Sequence, residues 1–358
     1  MRVRVGLGVL VAVATGCQPD SAPSAGSAES STSEEGCEWL SASRPMAADA
    51  PLCGLEFREV MRLEGSIDGT IPDAPVRALR DGTYITGTYS RGKLALWGPD
   101  GELLDVLGRG PGDGPGEFDY VTNMVLIPDG AFIVFGPPPL VHEYSSAEGF
   151  VRSFRLPAHG SVSSGVTYGD QVIVSVAATD DWQAYRIDGD RVQAMGVPLG
   201  SSETFPMLTA AEDLGMWSAN TDRYVLRKHD WPGGTMVDSL VLTRDWFSGP
   251  GGSETLIYGL HADGHGLIWA LAQVPDPDAP RRRPEDLDAP IVDEEVEAET
   301  IGYTDHVIEA LTPDGRLVAS VRFDSFEDAA YPVVGNLWYR PTPDRLSIVI
   351  LEAFLVAR

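Results

Sequence analysis

From about residue 55 onward, short apolar runs rich in Val, Ile, Leu, Tyr and Trp alternate with turns built from Gly, Asp and Pro. No stretch keeps a 3.6-residue period, and breakers come too often for long helices, so the pattern predicts strands throughout. Two turn types recur. One joins a first strand to a second: Arg80-Asp81-Gly82, Pro128-Asp129-Gly130, Gly169-Asp170 and Ala262-Asp263-Gly264, each followed by a strongly apolar run such as AFIVFG or QVIVSV. The other joins a third strand to a fourth: Pro99-Asp100-Gly101, Ser146 to Gly149, Asp188-Gly189-Asp190, Pro232-Gly233-Gly234 and Pro313-Asp314-Gly315. Gly and Asp suit these places because tight hairpins require residues that tolerate positive φ.

So long an all-β segment must hide its sheet edges, as a sandwich, a barrel or a propeller. The second turn type recurs at a step of roughly 40 to 50 residues with four strands per repeat, which favours the propeller. Four complete units fit between residues 75 and 243, and a fifth runs from about 254 to 323. A sixth has strands near Asn336–Arg340 and Leu346–Leu355, with no outer strand of its own. Leu55–Gly65 is a spare strand expected to pair with the C-terminal one. The expected fold is therefore all-β: a six-bladed β-propeller of four-stranded antiparallel blades over 55–358, its ring closed by an N-terminal strand. Residues 274–303 interrupt the fifth unit with ten acidic residues and the run Arg281, Arg282, Arg283. That composition predicts an excursion, read either as a lid or docking loop or as an inert solvated insertion.

The N-terminal end has a different character. Arg2 and Arg4 precede an apolar run, Val5–Thr15, well short of the roughly 20 residues a spanning helix needs. It ends in Ala14-Thr15-Gly16-Cys17, which resembles the bacterial lipobox, where a peptidase cuts before an acylated cysteine. The alternative is an ordinary secretory peptide with a chance cysteine. The resemblance implies a signal peptide over 1–16, palmitate-type lipidation at Cys17 and an anchored lipoprotein. Gln18 in place of Asp implies the outer membrane of the bacterial envelope, periplasmic or surface-exposed. Residues 17–36 carry no aliphatic side chain larger than Ala beyond the cysteine, and so read as a disordered tether. Cys37 and Cys53 are then left over within an N-terminal segment, 37–54. An oxidising compartment favours a disulfide between them, closing a loop that would stabilise by about 3 kcal/mol; two separate buried thiols are the other reading.

Charge narrows the partners. With 26 basic against 53 acidic residues the net charge is −27. An acidic protein of this kind repels phosphate, which excludes a nucleic-acid partner. The membrane contact runs through the lipid anchor, and the expected partner is an envelope protein, peptide or glycan.

A second resemblance rests on residues 97–135, WGPDGELLDVLGRGPGDGPGEFDYVTNMVLIPDGAFIVF. This stretch is similar to bacterial six-bladed propeller lipoproteins related to the NHL-repeat propellers, in which a Gly-Pro-Gly-Glu-Phe loop leads into the next blade. Here the loop is Gly108–Phe118; it occurs once, and the Asn-His-Leu triplet is absent. The loop lacks any phosphate-loop pattern, and Asp113 and Glu117 would repel phosphate. Phe118 is expected to wedge between blades while the glycines turn the chain, with a loop lining a ligand mouth as the other reading.

Candidate chemistry is sparse. His261-Ala-Asp263-Gly-His265 is the only histidine pair close in sequence and could bind a transition metal, but it falls on a repeated turn. Gly-x-Ser-x-Gly, His-Glu-x-x-His and EF-hand spacings are all missing. Two functions follow. The first is a non-catalytic binding or scaffold propeller that needs no cofactor. The second, on fold analogy with propeller lactonases and amidating lyases, is a hydrolase or lyase with Ca or Zn in a central channel. The residues expected at that channel are Glu117, Asp119, Asn123, Glu212, His261 and His265.

Overall fold

The computed structural model describes residues 53–357 apart from 279–303 and short segments at 67–74, 89–90, 128–129, 137–139, 157–160, 169–170, 178–180, 190, 202–204, 212–214, 221–222, 231–232, 248–254, 264, 326–327 and 345. The signal segment, Cys17, the tether, Cys37, Glu212 and the insertion from 279 onward lie outside the described residues. Among the described residues all regular structure is β.

Four sheets are four-stranded antiparallel meanders in chain order. The first holds β2 (Arg77–Ala78), β3 (Tyr84–Gly87), β4 (Leu94–Trp97) and β5 (Leu103–Leu107). The second holds β6 (Asn123–Leu126), β7 (Ala131–Phe135), β8 (Leu140–Ser145) and β9 (Gly149–Arg155). The third holds β10 (Val162–Tyr168), β11 (Gln171–Ala177), β12 (Asp181–Asp188) and β13 (Arg191–Ser201). The fourth holds β14 (Met207–Ala211), β15 (Gly215–Asn220), β16 (Arg223–Asp230) and β17 (Met236–Val241). The recurring turns of the sequence sit at the predicted joints: Asp81-Gly82 between β2 and β3, Pro99-Asp100-Gly101 between β4 and β5, and Asp188-Gly189 between β12 and β13.

The fifth sheet has eight strands in the order β18-β19-β20-β21-β1-β24-β23-β22. Its first half is another meander: β18 (Leu256–Ala262), β19 (Ile268–Pro275), β20 (Thr304–Leu311) and β21 (Leu317–Phe323). Its second half is β22 (Tyr331–Val334), β23 (Leu337–Pro341), β24 (Ser347–Ala357) and β1 (Cys53–Glu64). β1 runs antiparallel to β24 from Cys53↔Ala357 to Glu64↔Ser347, with a bulge between Glu59 and Met61. The halves meet at one parallel pair, Cys53↔Ala319. The sequence reading missed β22, because Pro332 argues against a strand; a sheet edge tolerates it, since an edge strand need not donate on both sides.

The central strands of each meander are buried on both sides, so they read as continuous apolar runs. Alternation sends neighbouring residues to opposite neighbours. Phe132 and Val134 pack with Ile85, Leu94 and Leu107 of the preceding sheet, whereas Ile133 and Phe135 pack with Val172 and Val174 of the following one. The same device continues through Trp217 and Ala270, and through Trp269 and Trp338. It returns to the start where Tyr339, Ile348 and Ile350 pack with Val76, Ala95 and Trp97.

Candidate functional site

The first strand of each meander lies at a sheet edge, and these edges face one another: β2 lies against β6, β6 against β10, β10 against β14, β14 against β18, and β22 against β2. Polar side chains stitch this belt. Arg77 Nε donates to Met124 O (3.0 Å) and its Nη2 to Asn123 Oδ1 (3.3 Å), joining β2 to β6. Asn123 Nδ2 donates to Ser163 O (3.2 Å), joining β6 to β10, and Thr167 Oγ1 returns a bond to Leu126 O. Ser163 Oγ donates to Pro206 O (2.7 Å), and Leu208 N donates to Ser164 Oγ (3.0 Å) ahead of and within β14. Ala262 N donates to Thr209 Oγ1 (2.8 Å), and His261 Nε2 donates to Gly335 O (2.8 Å) in the turn between β22 and β23.

These bonds settle what the belt residues carry. Because a carbonyl only accepts, His261 holds its proton on Nε2, and burial keeps the ring below the usual histidine pKa, hence neutral. Tyr258 in the same strand and Tyr331 in β22 have phenol pKa values pushed up by burial, hence neutral also. Asp263 is saturated within its own turn: Oδ1 accepts from His265 N and Leu267 N (2.9 Å each) and Oδ2 from Trp269 Nε1 (2.8 Å). His265 is exposed at the far side of that turn.

Glu117 stands on the Gly108–Phe118 connection from β5 to β6 and Asp119 directly after it, and neither takes part in the bonds of this belt. Glu117 Oε2 accepts from Gly114 N (3.1 Å), and Asp119 is exposed, its backbone O accepting from Gly92 N (3.2 Å). Phe118 is 2% exposed and packs with Leu107, Met124, Phe132 and Tyr144, a wedge between the first two sheets. His142 Nδ1 accepts from Gly116 N (3.3 Å) and Tyr144 OH donates to Gly116 O (3.1 Å), pinning the loop. Gly92 makes the tightest approach: its φ is +56°, and a Cβ at this position would fall 1.8 Å from Phe118 O and 2.5 Å from Gly110 C. Gly92→Ala is therefore expected to cost about 2 kcal/mol or more, since backbone rather than a flexible side chain must move. A thermal melt unchanged within a degree would show that the loop yields freely.

Among the described residues no group of three or more His, Cys, Asp or Glu side chains is placed to hold a metal ion. The structure brings together Arg77, Asn123 and His261, and leaves Glu117, Asp119 and His265 apart. Sequence reading missed Arg77, Ser163, Thr167 and Thr209, whose roles depend on the juxtaposition of strands some forty or more positions apart. It also missed the Arg244–Glu309 pair, for which a signal existed: Glu309 interrupts the apolar run Val307–Leu311 of β20.

No family profile and no curated protein matches the sequence. Solved structures do. A member of the DUF4221 family from Bacteroides vulgatus superposes with a TM-score of 0.61 at 9% identity, over 86% of this chain and 100% of that one. A catalytically inactive virginiamycin B lyase from Staphylococcus aureus, solved with quinupristin, superposes at 0.52 and 12% identity, over 83% and 99%. At such identities the likeness speaks for fold alone. With the repeated four-stranded antiparallel sheets and the facing first strands, it makes this chain a β-propeller.

Proposed function

We propose that this chain is a lipid-anchored, non-catalytic binding propeller of the bacterial envelope. In this reading the signal peptide is removed before Cys17, the cysteine is acylated, and residues 18–36 tether a six-bladed domain closed by the pairing of β1 with β24. A Cys37–Cys53 bridge fastens the segment that enters it; Cys53 is buried at the start of β1. The observation that carries the binding reading is the belt itself. Among the described residues, Asn123, Ser163, Thr209 and His261 at the first strands are engaged in ties between neighbouring strands. Such a domain offers rigid faces and connecting loops to a protein, peptide or glycan, which is how a propeller without a reactive constellation acts.

The test is expression in a Gram-negative host fed labelled palmitate, followed by envelope fractionation and capture of bound components. The wild type is expected in the membrane fraction with label, Cys17→Ser in the soluble fraction without it, and the intact mass to shift on reduction of the bridge. Label retained in Cys17→Ser would overturn the anchor. Metal-dependent turnover of lactones by the purified protein would overturn the binding reading in favour of a hydrolase.

A further inference from the structure

Among the described residues of the belt, Arg77 carries a charge that the fold leaves unanswered. Burial lowers the pKa of its guanidinium, the residue as a whole is half-buried, and its three hydrogen bonds run to Val76 O (2.9 Å), Met124 O and Asn123 Oδ1. All three acceptors are neutral. No carboxylate among the described residues pairs with it, in a chain that carries 53 of them. Its neighbours add no carboxylate: His261 is neutral with its pKa depressed partly by Arg77 itself, and Tyr339 is its electrostatic neighbour in β23. A buried cation without an anion is costly, and proteins that need only a tie use a neutral donor, as Asn123, Ser163 and Thr167 do on the adjoining strands.

We infer that Arg77 is the anion-recognising residue of a ligand site at the meeting point of β2, β6, β18 and β22, and that the ligand is a small molecule bearing a carboxylate. A guanidinium has five N–H groups, of which three are engaged here, leaving one on each terminal nitrogen. Two parallel N–H donors match the two oxygens of a carboxylate. Asn123 and the Met124 carbonyl fix the guanidinium in place, and Tyr339, an electrostatic neighbour of Arg77 whose ring lies 5.3 Å from that of Tyr331, supplies an apolar wall for the body of the ligand. The inference rests on the binding reading and names its ligand class; capture of envelope components can succeed while this site fails, so the two are separable.

The experiment uses the full chain with acetate and benzoate as carboxylate probes, and inorganic phosphate and chloride as comparators at constant ionic strength, read by thermal melts and titration calorimetry. Wild type is expected to gain stability with rising carboxylate relative to chloride, because a ligand that binds only the folded state stabilises it. Arg77→Met is expected to melt in chloride at the wild-type temperature or above it, and to bind carboxylate at least tenfold more weakly. Arg77→Lys is expected to fall between them. Asn123→Asp sets a carboxylate beside the guanidinium within the protein and should abolish the response while leaving the chain folded, which keeps the test decisive if Arg77→Met does not fold. Equal carboxylate responses in wild type and Arg77→Met would overturn the assignment. So would a response confined to phosphate, or a lower melting temperature for Arg77→Met in chloride with the wild-type response to carboxylate intact.

Discussion

Glu309→Ala is expected to lower the free energy of unfolding by about 3–5 kcal/mol, the cost of removing one member of a buried ion pair. Glu309 in β20 receives Arg244 Nε at 2.8 Å and 2.9 Å on its two oxygens, and Tyr224 OH from β16 at 2.7 Å. The arginine and glutamate side chains are 8% and 2% exposed, so water cannot take over for the missing partner. The contact joins the fourth meander to the fifth, and Trp246 and Phe247 close over the Tyr224 ring beside it (5.4 Å and 5.8 Å between centroids). Apolar residues of similar volume offset much of such a loss, because a buried pair repays its desolvation only in part. The double variant Arg244→Met with Glu309→Leu should therefore be less destabilised than the sum of the single ones. Urea unfolding followed by tryptophan fluorescence checks both statements. A loss below about 1 kcal/mol in Glu309→Ala would mean that the pair behaves as a hydrated surface contact.

Acid should weaken the fold well above the carboxylate range. His142, His229, His261 and His306 all have pKa values lowered by burial, and His306, 1% exposed and sharing a hydrogen bond with Tyr258 OH (3.1 Å), is held down to about 4. A histidine depressed in the folded state binds fewer protons there than in the unfolded chain. Its contribution is whole above the unfolded pKa, falls as pH drops through that value, and stops falling below the folded one. For His306 this window runs from 6.5 to about 4 and is worth about 3 kcal/mol; the other three add in the same direction. Asp81 and Asp314 are depressed by hydrogen bonds from Thr83 and Thr312, so they withdraw their stability only at lower pH still. Neutralising a chain of net charge −27 acts the other way by relieving repulsion, and moderate salt screens that term while leaving buried groups little affected. Melting temperatures measured at about 0.15 M salt or above are expected to fall steadily from about pH 7 to about pH 4.5, and His306→Gln should flatten part of the slope. A melting temperature independent of pH across that range would mean these rings are hydrated.

How legible this was in the sequence varied with distance along the chain. Turn chemistry is local, so Asp81-Gly82, Pro99-Asp100-Gly101 and Asp263 marked strand breaks that stand where expected. Burial on both sides is local too: β7 and β11 read as unbroken apolar runs because each faces two neighbouring sheets. The outer strand β17, Met236–Val241, reads as mostly apolar yet stands largely exposed, since nothing in six residues tells an edge from a centre. The belt was opaque for a stronger reason. Arg77, Asn123 and Thr209 gain their meaning from carbonyls and amides contributed by the next first strand, and no spacing rule connects such positions. Histidine at 261 was noticed for its neighbour at 265, but the contact that defines it is to Gly335 in another turn altogether. Residues that looked like a metal triad in a row are parted by the turn, which points one imidazole inward, locks the carboxylate and leaves the other imidazole exposed.

The pairing of β1 with β24 also sets a schedule. Every other antiparallel ladder joins strands consecutive in the chain, whereas this one brings together strands from opposite ends of the described residues. Closing so long a loop must await the last strand to be made, and contacts of high sequence separation form slowly. Until then β1 has no antiparallel partner and the meander ending in β24 lacks its fourth member. The fold is therefore completed in one late step, when β24 becomes available to β1.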